Sequence, residues 1–349
     1  MKEKIKYAGA MLICFIAVLF IRMPVMADDG APATAWRDNA AADFAGGSGT
    51  ETDPYRIEDG AQLAKIAKDV ENGTVYKDAY FRLENDIDLS AHRWNPIGVY
   101  KWYPGGATED RMFAGFLDGN GKTITGLIVD ERKEKNCAGL FGEIGDNEGT
   151  ETNVGVKDLN IVGARIYATD TGMQFSGSAI LAGDVLANTD NKIRFNNISV
   201  SGTIVNTKAG NAMISGGLIG SAYCVTADNC KSDVTIEGGD NIGGFVGMDA
   251  DSTYTNCKVT GKVTGLRAIG GFVGYVKEAD PTTMSTYDSC VAKVDVIASD
   301  WRAGGFAGYM QKGKASSCAA LGDVTSTLTG GNPKVGGFAG EIGDKNVTG

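Results

Sequence analysis

The sequence predicts an all-β fold of stacked coils, and three observations carry that reading. A six-residue phrase recurs as Ser215-Gly-Gly-Leu-Ile-Gly220, Ile242-Gly-Gly-Phe-Val-Gly247, Ile269-Gly-Gly-Phe-Val-Gly274, Ala303-Gly-Gly-Phe-Ala-Gly308 and Val335-Gly-Gly-Phe-Ala-Gly340, with an earlier version at Cys137-Ala-Gly-Leu-Phe-Gly142. The second glycines stand at 217, 244, 271, 305 and 337, so the steps are 27, 27, 34 and 32 residues. A period of this size marks a stacked repeat. Between the phrases run segments of period two, such as Asn256-Cys-Lys-Val-Thr-Gly-Lys-Val263, in which Cys257, Val259, Gly261 and Val263 share one face. That period, with β-branched residues, means strand. From 197 onward no helix-length segment separates the strands, which excludes a βαβ architecture.

The elements follow in order. Lys2, Lys4 and Lys6, an apolar stretch over 8–21 and Val25-Met26-Ala27 before Asp28 predict a secretory signal peptide over residues 1–27. The apolar run is short for a membrane span. Ile13 before Cys14 is too large for a lipoprotein cleavage site, so no lipid anchor is expected. Removing 1–27 takes the net charge from −10 to 29 − 42 = −13. An acidic secreted chain disfavours nucleic acid as a partner.

Residues 28–47, rich in Ala, Asp and Gly, are expected to form a flexible leader. An N-terminal cap and first coils should occupy 48–134. There Asp59 caps a helix over about 60–70, whose Leu63, Ile66, Ala67 and Val70 share one face. Asp118-Gly-Asn-Gly121 reads as a tight turn, because Val129 stands where a calcium loop needs its twelfth-position Glu. Repeats fill 135–349; the segment 164–195 fits poorly, with Ala179-Ile-Leu-Ala-Gly183 as a degenerate phrase. One coil cannot bury its own apolar face, but a stack can. Leu140, Leu218, Phe245, Phe272, Phe306 and Phe338 hold one repeat position and should form an internal ladder. The final phrase ends at Gly340 before its partner strand is due, so the repeats look incomplete, and further domains or a capping partner are expected.

The phrases resemble the GLUG motif of bacterial surface proteins, which occurs in the N-terminal parts of IgA-specific metallopeptidases. The block before them is similar to the segment preceding such repeats, through Gly49-Thr-Glu-Thr-Asp-Pro-Tyr-Arg-Ile57, Gln62-Leu63, Asp86-Ile-Asp-Leu89, Trp94-Asn-Pro-Ile-Gly98 and Phe116-Leu-Asp-Gly-Asn-Gly-Lys-Thr-Ile124. The resemblance covers about 48–349 and implies a right-handed parallel β-helix displayed outside the cell. It implies no reaction, since the family's activities sit in other domains.

Candidate sites are few. Cys230, Cys257, Cys290 and Cys318 share a column with Ile198 and Leu159, and Cys137 with Ile242, Ile269, Ala303 and Val335. Positions that accept Leu, Ile and Cys ask for a small buried apolar group, so these thiols and Cys224 are expected free and buried. Bridges between adjacent coils remain geometrically allowed. His92 is the single histidine, too few for a zinc protease motif or a triad. No metal, cofactor or catalytic residue is expected. Outward positions after the ladder cysteine (Asp233, Thr260, Lys293, Leu321, then Thr235, Lys262, Asp295, Asp323) mix signs and build no repeated acidic site. Trp94, Trp102, Tyr103 and Trp301 fall in turns or insertions and are the candidate contacts for a sugar or protein. The resulting expectation is a secreted or cell-surface structural and adhesive module without catalysis, binding a host or matrix glycan or protein. The alternatives are an accessory region of a larger secreted metallopeptidase, or a β-helix polysaccharide lyase or glycosidase with paired outer-wall acids.

Overall fold

The computed structural model describes residues 31–99, 101–102, 108–109, 111–132, 137–145, 153–169, 177–188, 190–206, 214–328 and 331–343. The expected signal peptide and Tyr103 lie outside them. From Pro32 onward the chain is a single unit of stacked parallel sheets, a parallel β-helix-like architecture as the sequence predicts. The phrases supply two walls. A six-stranded sheet runs from Gly177–Ser178 to Lys334–Gly336, and a seven-stranded sheet from Phe141–Gly145 to Ala339–Ile342. The period-two segments supply the third wall, which starts at Tyr55–Ile57 and continues through Tyr80–Leu83, Phe116–Asp118 and Gly155–Ala168. Among the described residues only Lys101–Trp102 and Thr108–Glu109 pair antiparallel.

Each corner has a chemical cause. In the phrase, a Cβ on Gly271 would lie 2.1 Å from the Gly305 carbonyl oxygen, and one on Gly270 would lie 2.0 Å from that of Val273. The backbone therefore folds onto itself and onto the next coil where no side chain fits. The other corner falls just before the cysteine column. Asp158, Asn197, Asn229, Asn256, Ser289 and Ser317 all adopt φ between 51° and 55°. Asn and Asp tolerate this left-handed region best among side-chain-bearing residues. They also tie the corners together: Asn197 Nδ2 donates to Asp158 Oδ1 at 2.7 Å, and Asn229 Nδ2 to Asn197 Oδ1 at 3.1 Å.

The core fills the stack. Phe245, Phe272, Phe306 and Phe338 stack face to face at 4.6, 4.9 and 4.7 Å, forming the expected ladder. Leu181 joins Leu140 and Leu218 in this column, which identifies residues 179–183 as the degenerate phrase. Strand pairing aligns Cys230, Cys257, Cys290 and Cys318 below Leu159 and Ile198. All six cysteines from Cys137 to Cys318 are free. Five are buried and Cys318 is half-buried.

Two expectations need correction here. Residues 28–47 were expected to be flexible, yet Trp36 is buried in a short 3-10 helix, its indole nitrogen donating to the Leu89 carbonyl at 2.9 Å. Phe44 also packs against Tyr55 and Phe81. Apolar aromatics outweigh the polar composition of that segment. Cys137 does not share the Ile242 column: Ala138 bridges Ser178, whereas Phe141 pairs with Ala182, a one-residue slip within the phrase. The cap helix Gly60–Glu71 forms as expected, with Gln62 N donating to Asp59 Oδ1 and Glu58 N to Gln62 Oε1. Asn120 at φ 52° and Gly121 at φ 71° make the expected tight turn.

Candidate functional site

The outer wall is where a ligand can reach side chains, and three places on or under it gather chemistry. The first is acidic. Glu143 and Asp184 are register partners on adjacent coils. Burial pushes the Asp184 carboxyl up to about 6, against the pull of a Ser221 hydrogen bond. Cys137 Sγ stands 3.6 Å from Glu143 Oε1. Burial, then the Glu143 and Asp184 charges, hold its thiol well above the ordinary range, so it is not a thiolate nucleophile. Glu143 is 6% exposed, while Asp184 is half-buried. Each acid directly follows a phrase, after Gly142 and Gly183, and so lies outside the columns that follow the ladder cysteine.

The second gathering lies inside the stack. Asp249 occupies a column otherwise made of Ile144, Val185, Ala222, Val276 and Met310. It is fully buried and accepts from Tyr254 Oη at 2.8 Å and Tyr287 Oη at 2.5 Å. Burial raises its pKa, while the hydroxyls of Ser285, Tyr287, Ser252 and Tyr254 oppose the rise. A carboxylate sealed this way is structural.

The third is aromatic and charged. Of the four aromatic candidates, Trp301 is on the surface at 54% exposure. The Arg302 guanidinium lies 5.0 Å from its ring and 4.4 Å from that of Tyr309. Tyr309 in turn stacks on Tyr275 at 5.1 Å, and Glu341 pairs with both Arg302 and Lys334. Trp94 is not a contact residue: it is 1% exposed and its indole donates to the Leu140 carbonyl at 2.9 Å. A bridge to Val129 makes it an inward rung rather than a turn. The backbone of Trp102 belongs to the short antiparallel pair, away from Trp301 in sequence. His92 Nδ1 lies 2.6 Å from Thr34 Oγ1 and its ring stands edge-on to Trp36.

Sequence reasoning missed a groove of about 390 Å³ on the third wall. Its floor holds Tyr80 and Phe116, register partners whose half-exposed rings are 5.7 Å apart. Arg82, Asp118, Lys157 and Arg194 surround them. Alternation alone marks these positions as outward, but no repeated phrase aligns these coils in the sequence and only the pairing register assembles them. Among the described residues no group of three His, Cys, Asp or Glu side chains could hold a metal ion, and no helix is long and apolar enough to cross a membrane.

Comparison with known proteins places this geometry. No family model matches the chain. It is 41% identical over 104 residues to a "Putative Gly-rich membrane protein" of Evansella cellulosilytica, covering 30% of this chain and 11% of that protein. It is 34% identical over 177 residues to halomucin of Haloquadratum walsbyi, covering 50% of this chain and 2% of that protein. The chain thus spans a small fraction of the length of these relatives. A crystal structure of a "putative immunoglobulin A1 protease" from Bacteroides ovatus superposes with a TM-score of 0.56 at 17% identity, over 85% of this chain and 86% of that one. That likeness is one of fold.

Proposed function

We propose that this chain is a secreted or cell-surface β-helix module that adheres to a host or matrix glycan or protein and carries out no catalysis. The observation that carries the reading is the Trp301 surface, where an exposed indole, a guanidinium and a tyrosine stack are fixed side by side on a rigid wall. Rigid aromatics and arginine are the side chains that dominate binding energy at low entropic cost. The resemblance of the phrases to GLUG repeats, and the naming of one relative as a membrane protein, support an address at or outside the cell surface. The protonated Cys137 and the enclosed Glu143 support a module without turnover. In the relatives such a segment is a small part of a much longer protein, which fits a display or spacer role within larger polypeptides.

The test is a binding and turnover panel on the full chain and its Trp301→Ala variant. Arrayed glycans and matrix proteins should retain the wild type, and at least one interaction should weaken tenfold or more in the variant. Product release from uronate polymers or mucin glycans would instead establish the lyase or glycosidase alternative. Failure of every surface to retain the chain would refute adhesion.

A further inference from the structure

The groove on the third wall, far in sequence from Trp301, has the composition of a site for an acidic sugar. Outward positions there form two columns across four coils. One reads Tyr80, Phe116, Gly155 and Arg194, and the other Arg82, Asp118, Lys157 and Asn196. Adjacent coils are about 4.8 Å apart. Gly155, buried, stands between Phe116 and Arg194 in the first column. No side chain fits there, because a Cβ would lie 2.2 Å from the Arg194 carbonyl oxygen.

The charges are unevenly compensated. Lys157 pairs with Asp118 at 3.3 Å. Arg82 donates through Nη2 to the neutral Asn120 Oδ1 at 2.9 Å, while its Nε is buried without a partner. Arg194 is exposed and makes no ion pair among the described residues. Three cations, Arg82, Lys157 and Arg194, thus face two carboxylates, Asp118 and Glu51, around the aromatic floor, an excess of one positive charge in a chain whose net charge is −10. Guanidinium matches a carboxylate with two parallel hydrogen bonds. An aromatic floor takes the C–H face of a pyranose, which is apolar, and the volume lies within the range of small-ligand sites.

We propose that this groove binds a carboxylated sugar, the pyranose lying on Phe116 beside Tyr80 and its carboxylate reaching Arg194 two coils away. It deepens the adhesive reading by naming a ligand class, at a site separate from Trp301. The source of the carboxylate is a uronate of a matrix polysaccharide or a terminal sialate, and the probes separate the two.

The experiment titrates the full chain with hexagalacturonate, with sialyllactose and with lactose as the neutral control. Arg194→Ala, Phe116→Ala and Trp301→Ala are compared, with circular dichroism confirming the fold of each. One acidic probe should bind and lactose should not. Arg194→Ala should weaken binding tenfold or more and flatten its salt dependence, whereas Arg194→Lys, which keeps the charge but not the paired hydrogen bonds, should weaken it less and keep the salt dependence. Phe116→Ala should weaken binding at any salt concentration, and Trp301→Ala should leave it unchanged. Binding of neither acidic probe, equal binding of lactose, or wild-type affinity in Arg194→Ala overturns the proposal. Loss in Trp301→Ala with none in Arg194→Ala leaves adhesion standing and removes the groove.

Discussion

Tyr287 Oη donates a 2.5 Å hydrogen bond to Asp249 Oδ2, joining two coils through a carboxylate that has no solvent exposure. Tyr254 stacks on Tyr287 at 5.2 Å and donates to the other oxygen of the same carboxylate. A charge in this position is tolerable only while its hydrogen bonds are complete.

Removing one donor should therefore be costly. Tyr287→Phe is expected to lower unfolding free energy by about 1.5–3 kcal/mol, the range for a hydrogen bond to a charged group. The pH dependence has a definite sign. Burial raises the folded-state pKa of Asp249, so above the unfolded value near 4 the native state holds its proton longer than the unfolded state does. Its contribution to stability is thus greatest at low pH and falls as pH rises toward the folded value, by at most about 1.4 kcal/mol per pH unit. Asp249→Asn removes that dependence. Urea unfolding at pH 4, 6 and 8 should show the variant gaining on the wild type as pH rises, and a constant difference would contradict the assignment.

The phrase glycines make a paired prediction. Gly271 and Gly337 hold the same phrase position, but a Cβ on Gly337 meets no atom within 4 Å. On Gly271 it would overlap the Gly305 carbonyl oxygen. Gly271→Ala should therefore cost at least about 2 kcal/mol, from backbone displacement through the neighbouring coil. Gly337→Ala should stay within about 0.5 kcal/mol of the parent. Equal losses in denaturant melts would show that the glycines serve something other than close approach.

The thiols are open to direct counting. Cys230, Cys257 and Cys290 have no exposure; burial raises the pKa of Cys257, and hydrogen bonding to the preceding thiol in the column, then burial, raises those of Cys290 and Cys318. Disulfide exchange reagents should react slowly with the native chain, beginning at the half-buried Cys318. In denaturant without reductant all six from Cys137 to Cys318 should label. A shortfall of two would mean a bridge between adjacent coils.

Much of this fold was readable because its grammar is local. The Phe245 to Phe338 ladder and the Cys230 to Cys318 column follow from near-constant spacing, since one coil repeats the geometry of the last. The Cys137 column was misread because a one-residue slip inside a phrase leaves no mark in residue types. Trp94 was misread because a tryptophan among turn residues looks exposed until its bridge to Val129 turns it inward. Asp249 gave no warning either. Nothing in Val246-Gly-Met-Asp-Ala250 distinguishes an inward acid from an outward one, and only Tyr254 and Tyr287 make it tolerable.

The sequence by itself determined the coil period, the inward columns and the glycine corners, because each depends on contacts between equivalent positions one repeat apart. Tertiary structure alone decided which outward side chains meet. Tyr80, Phe116, Gly155 and Arg194 are separated by 36, 39 and 39 residues, longer than the later steps of 27, 27, 34 and 32. Insertions fall in the turns and change the count without changing the hydrogen-bond register. The register, invisible in the chain, is what lays two aromatic rings and an exposed arginine along one wall.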